Sequence, residues 1–156
     1  SAGTLWAQPA GGAVDPENAC GKKVAVQATT VQETEELPAR SQKCTDAGQP
    51  AIQIIPFDSQ DAATNAVVLG QADAMSADSP VTRYAIKQTN GKLEQAGVMF
   101  DSAPYGWPVE KGSALAQSLL QALEHLIETG KYKEIASNWG LEEGMIDKPV
   151  INGAVS

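Results

Sequence analysis

Short apolar runs and longer amphipathic stretches alternate along the first hundred residues. Lys23-Val24-Ala25-Val26 is apolar and β-branched, which predicts a buried strand. Thr30-Val31-Gln32-Glu33 follows in the form of a capping box, Thr at the cap and Glu three residues on, and predicts a helix to about Lys43. Asp46-Ala47-Gly48-Gln49-Pro50 reads as a turn and Ile52-Gln53-Ile54-Ile55 as the next strand. Asp58 or Ser59 caps a second helix, with Ala62, Ala63, Ala66, Val67 and Gly70 at helical spacing. Asp73-Ala74-Met75-Ser76 is a third short strand, and Asp78-Ser79-Pro80 opens a third helix with proline tolerated in its first turn. Beyond the Asn90-Gly91 turn, Leu93 to Phe100 forms a fourth strand. Ahead of all these, a strand around Leu5-Trp6 leads into a Pro/Gly/Ala-rich loop over 9–19. Strand and helix alternating at this spacing imply βαβ units, right-handed crossovers and a mostly parallel sheet. The fold class is α/β.

Tyr105 to Val109 reads as a fifth extended segment, after which the pattern changes. Ser113 caps a helix carrying Leu115, Leu119, Leu120, Leu123, Leu126 and Ile127 on one face, closed by Gly130. A second amphipathic helix carries Tyr132, Ile135, Ala136 and Trp139 and stops at Gly140. The pattern thus separates an α/β part over 1–108 from a C-terminal helical segment over 109–156. Trp6, Trp107 and Trp139 read as packing anchors, and His125 as a surface residue.

Composition narrows the function classes. With 11 Lys+Arg against 19 Asp+Glu the net charge is -8, which repels a phosphate backbone and an anionic membrane surface. Nucleic acid is therefore not an expected partner. No apolar run approaches the length of a bilayer span, and no basic n-region with an apolar h-region opens the chain. Any signal or anchor is expected to have been removed or to lie upstream. Two cysteines, Cys20 and Cys44, cannot build a structural zinc site alone, and no CxxC redox motif is present. They are either unrelated buried thiols or a disulfide. Cys20 precedes a strand and Cys44 closes the helix that follows it, and these positions favour the bridge and an oxidising compartment.

Ligands of open α/β sheets sit beyond the carboxyl ends of the strands. The loop after the first parallel strand places Thr29, Thr30 and the N–H groups of Val31 and Gln32 at a helix N-terminus, which suits a carboxylate or phosphate. From spacing alone, a plain helix cap accounts for them better. The same holds for Asp78, whose carboxylate could otherwise face an ammonium group. Together an anion site and an acidic side chain at two strand ends would suit a zwitterion. No Gly-rich phosphate loop, Ser-His-Asp or Cys-His arrangement stands out, so neither a cofactor nor a metal is expected.

Four stretches carry a resemblance: Val24 through Glu33; Gly70-Gln71-Ala72-Asp73-Ala74-Met75 through Asp78-Ser79-Pro80; Pro104-Tyr105-Gly106 with Val109-Glu110-Lys111-Gly112-Ser113; and Gly130-Lys131-Tyr132 with Ile135 and Trp139-Gly140. In order and spacing the chain resembles the periplasmic-type (type 2) substrate-binding proteins of polar amino-acid ABC importers, the family 3 solute-binding proteins. The cysteine positions are similar to those of an actinobacterial branch of surface lipoproteins. The resemblance implies two α/β lobes closing on one amino acid, of which this chain carries the second lobe and lacks most of the first. It implies a ligand carboxylate held at Thr30 and Val31 with Gln32 alongside, an ammonium held by Asp78, and a side-chain pocket lined by Gln27 and Ser76. The family usually has Gly-Thr-Thr where this chain has Thr29-Thr30-Val31, so a backbone donor survives at Val31 but a second hydroxyl does not. The implied partners are an amino acid and a transporter permease, and the implied location is extracytoplasmic: lipid-anchored at the cell surface, or periplasmic. The C-terminal helices would pack on the first lobe; in this chain they are expected to bury their apolar faces on their own lobe or in a homodimer. Two other functions fit the same fold: the ligand-sensing domain of a membrane receptor, and a dehydratase-like periplasmic enzyme, for which Glu33 is the nearest candidate acid or base.

Overall fold

The computed structural model describes residues 1–153; the end of the expected C-terminal segment, 154–156, lies outside the described residues. The chain divides into two compact units, one of Gly3–Asp101 and one of Ser1–Ala2 with the residues from Ser102 onward.

The first unit is built on a five-stranded sheet in the order β3-β2-β4-β1-β5. Its strands are β1 (Ala2–Pro9), β2 (Lys23–Gln27), β3 (Gln53–Phe57), β4 (Ala74–Asp78) and β5 (Leu93–Ala103). β2 runs parallel to both β3 and β4, the expected βαβ arrangement, while β1 pairs antiparallel with β4. Three helices return the chain between strands: α1 (Leu37–Asp46), α2 (Gln60–Val68) and α3 (Ser79–Gln88). Side chains alternate across the sheet, so β2 feeds two cores. Val24 and Val26 join Trp6, Leu37, Cys44 and Ile52 on one face. Ala25 joins Ala63, Ala66, Val67, Met75 and Leu93 on the other. The layers are helix, sheet and helix. Cys20 and Cys44 form a disulfide with their Cα atoms 5.5 Å apart, tying the approach to β2 to the last turns of α1.

Local chemistry sets the helix starts. Ser59 caps α2, its hydroxyl accepting from the Ala62 N–H at 3.2 Å. The helix after Thr30 departs from the sequence expectation: a π-helical turn covers Gln32–Glu36 before α1 proper begins. Pro38 supplies the reason. It has no N–H for the carbonyl four residues back, and its ring would strike that carbonyl in a regular helix. The wider turn accommodates the ring, and the Leu37 N–H reaches back to the Gln32 carbonyl instead.

The second unit contains α4 (Leu115–Glu128) and α5 (Lys131–Trp139), joined through Gly130 in the left-handed region. Gly140, also left-handed, ends α5 as expected. The Ile146 N–H donates to the Tyr132 hydroxyl at 3.2 Å, and the chain's first amino group donates to the Gly144 carbonyl at 2.7 Å. Two expectations are corrected here. Tyr105–Val109 forms no strand; Pro104 precedes it and Pro108 lies within it, and neither can donate to a ladder. Trp107 is 65% exposed and Trp139 is exposed too, so of the three tryptophans only Trp6 anchors a core.

Candidate functional site: the carboxyl edge of the sheet

Because β2, β3 and β4 run parallel, their carboxyl ends Gln27, Phe57 and Asp78 emerge at one edge. At Gln27 the chain leaves β2 and turns sharply, with Thr29 at φ 64 in the left-handed region. A capping box then forms in slightly shifted register. The Thr30 hydroxyl accepts from the Glu33 N–H at 3.4 Å, and the Glu33 carboxylate accepts from the Thr29 N–H at 2.5 Å. The same Thr30 hydroxyl donates to the Gln27 carbonyl at 2.8 Å. Its hydrogen is therefore engaged within the loop, and Glu33 is engaged as a cap.

Val31 lies at the tip of this turn, 60% exposed. The N–H groups of a first helical turn have no acceptor within the helix and carry the positive end of its dipole. Gln32 turns inward and is buried. Its side-chain amide donates to Asp78 Oδ1 at 2.9 Å and approaches the Thr4 hydroxyl at 3.4 Å. This contact brings the two candidate half-sites together: the helix N-terminus after β2 and the acidic residue ending β4. Asp78 is half-buried at the N-terminus of α3 and makes no side-chain cap bond there.

Ser76 sits two residues earlier on β4, on the same face, and is fully buried. Its hydroxyl donates to Glu36 Oε2 at 2.9 Å. Glu36 also accepts from the Trp6 indole N–H at 3.2 Å and from Arg40 Nε at 2.6 Å. Arg40 in turn donates to the Pro16 carbonyl at 2.8 Å, pairs with Glu17 at 2.9 Å, and stacks 4.2 Å from the Phe100 ring centroid. Burial pushes the Glu36 carboxyl above its ordinary value; the bonds from Ser76, Arg40 and Trp6 oppose that shift without cancelling it. Glu36, Arg40 and the polar role of Trp6 were not read from the sequence. Their only signal was the four-residue spacing of Gln32, Glu36 and Arg40, which puts them on one helical face. Of the expected site residues, Thr29, Thr30, Val31, Gln32 and Asp78 gather at the strand ends with Gln27 at the base of the loop, while Ser76 faces inward to Glu36. A cleft of about 150 Å³ opens elsewhere, beside the disulfide, lined by Pro16, Glu17, Arg40, Lys43 and Cys44.

No family model matches the chain. The arginine-binding protein ArgT of Corynebacterium glutamicum is 43% identical over 153 residues, covering 97% of this chain and 50% of that protein. This chain is homologous to the amino-acid-binding proteins. The glutamine-binding protein GlnH of a Bacillus subtilis ABC transporter is 32% identical over 95 residues, covering 60% of this chain and 34% of its own length. Among solved structures, an ancestral arginine-binding protein bound to arginine superposes with a TM-score of 0.64 at 29% identity, covering 88% of this chain and 60% of that one. The chain thus spans about half the length of the amino-acid-binding proteins it matches, with the sheet and helices of a periplasmic-binding-protein-like lobe. These relatives are named as binding proteins rather than enzymes.

Proposed function

We propose that this chain provides one lobe of an extracytoplasmic solute-binding protein that delivers a polar amino acid to an ABC importer's permease. The Gln32–Asp78 hydrogen bond carries the reading, because it joins an anion-attracting helix start to a carboxylate at one sheet edge. A free amino acid presents opposite charges only a few bonds apart, and those two groups complement them. The N–H groups of Val31 and Gln32 receive the α-carboxylate and Asp78 receives the α-ammonium. Thr30 contributes by fixing the loop, since its hydroxyl hydrogen goes to Gln27. Gln27 borders the side-chain pocket, and Ser76 acts from beneath it. Relatives named for arginine and glutamine favour a ligand of that class.

In this reading 1–108 is the ligand-gripping lobe and 109–156 packs on a partner lobe, so enclosure of the ligand needs both. On the same reading the protein is a carrier rather than an enzyme, and Glu33 serves the loop as a cap through its bond from the Thr29 N–H. It works outside the cytoplasm, at the cell surface through a lipid anchor or in a periplasm, where the Cys20–Cys44 bond persists. A homodimer through α4 and α5 is an outcome for light scattering to decide. The function itself is tested by calorimetry with L-arginine and L-glutamine on the two-lobed protein. Asp78→Asn should weaken binding by roughly 2–5 kcal/mol, as expected when one member of a buried charge pair is removed. Unchanged affinity with the fold intact would remove Asp78 from the site.

A further inference from the structure

Beside the core residues Leu37 and Cys44, α1 and its π turn carry a row of enclosed polar residues, and each meets a different partner. Gln32 meets Asp78 and Thr4; Glu36 meets Ser76 and Trp6; Arg40 meets Pro16, Glu17 and the Phe100 ring. The sheet register matches this ladder, since Thr4 pairs with Asp78 and Trp6 pairs with Ser76 across β1 and β4. Glu36 is the middle rung. It joins two strands and a helix through three donors, and its side chain is only 7% exposed.

We propose that Glu36 is a positioning residue of the amino-acid site, holding the first helical turn against the end of β4 so that Gln32 and Asp78 stay in contact. The proposal rests on the functional reading above. One π turn separates Glu36 from Gln32, and Ser76 and Asp78 are successive residues on one face of β4. Fixing Glu36 to Ser76 therefore fixes the two elements whose next residues outward form the site. Without the carboxylate, the Ser76 hydroxyl, the Trp6 indole and the Arg40 guanidinium lose a shared interior acceptor. An unpaired buried donor is costly enough to draw in water or shift the helix. The π turn, lacking regular i→i−4 bonds, is where such a shift reaches Gln32 most easily.

Two readouts test this on Glu36→Ala, with the nearly isosteric Glu36→Gln as the variant to use if alanine prevents folding. In titrations with L-arginine and L-glutamine, Glu36→Ala should weaken binding about tenfold, the size of one coupled contact, and Glu36→Gln by less. Placed on Gln32→Ala, it should weaken binding no further, although the two losses in melting temperature add. Losses of affinity that multiply, or a lower melting temperature at unchanged affinity, would overturn the proposal. The second readout needs no ligand: the NMR signals of the Gln32 side-chain amide should shift and exchange faster in Glu36→Ala. If the parent binds neither amino acid, the functional reading fails, and this amide signal decides the positioning role alone. An undisturbed Gln32 amide overturns it.

Discussion

The π turn and α1 enclose polar side chains beside an apolar core, whereas α4 carries a leucine stripe and has no buried residue. Around α1, Gln32 and the Glu36 side chain are shielded from solvent beside fully buried Leu37 and Trp6. On α4, Leu115 is 52% exposed, and Leu119, Leu120, Leu123, Leu126 and Ile127 are at most half-buried. Amphipathic spacing identifies which residues share a face; what covers that face is decided by the neighbouring elements. For α1 the sheet supplies both apolar cover and hydrogen-bonding groups. Its interior polar residues are satisfied, as burial requires.

The strongest way to break this comparison is to truncate one leucine in each unit. Leu37→Ala should lower unfolding stability by about 2–5 kcal/mol in urea titrations, because it empties a closed core. Leu115→Ala should cost less than about 1 kcal/mol, as for a surface site. Equal losses would show that α4 is as enclosed as α1. Next in size is the Cys20–Cys44 bond, which closes a sequence separation of 24 residues within the lobe. Replacing both cysteines by alanine should cost about 3 kcal/mol through the freer unfolded chain. Proteolysis should then begin in the lobe around 9–19; cutting confined to the second unit would count against that order.

The smallest effect sharpens the contrast through pH. The Glu36 carboxyl is raised in the folded protein, so its protonated form is favoured there relative to the unfolded chain. The resulting stabilisation is present in full below its ordinary value of about 4.5 and is lost as pH rises through the raised folded value. The stability advantage of the parent over Glu36→Gln should therefore shrink from pH 4 toward neutrality. A difference that grows with pH would mean that Arg40 governs Glu36 more than burial does.

Much of the architecture was legible because the strands carry their own signals. Val24–Val26, Ile52–Ile55 and Ala74–Ser76 are apolar runs between turn residues, and Ser59, Gly130 and Gly140 mark helix ends by chemistry that acts locally. The gathering of Thr30–Gln32 with Asp78 followed from topology, since parallel strands must end at one edge. Other features depended on contacts that spacing does not encode. Glu36 and Arg40 look like an ordinary surface pair at i and i+4, and only Trp6, Ser76 and Phe100, distant in sequence, draw them inside. The π turn arises where Pro38 meets a helix already begun. Tyr105, Trp107 and Val109 are strand-favouring residues, but Pro104 before them and Pro108 among them leave too few donors for a strand.

Thr29 has one more consequence. A threonine at φ 64 occupies a region where its Cβ crowds the backbone, at a cost of roughly 1–2 kcal/mol compared with a residue free of that clash. Glycine would enter this shape without resistance, but would leave it as readily. A β-branched residue has few other comfortable shapes once the Glu33 carboxylate and the Gln27–Thr30 bond have drawn the loop into place. The loop therefore trades stability for stiffness: its ordering is completed while the chain folds, and little remains to be lost when a guest arrives. Thr29→Gly should make the protein hardier and its grip on a small anion weaker, two changes that a loop without strain would not show in opposition.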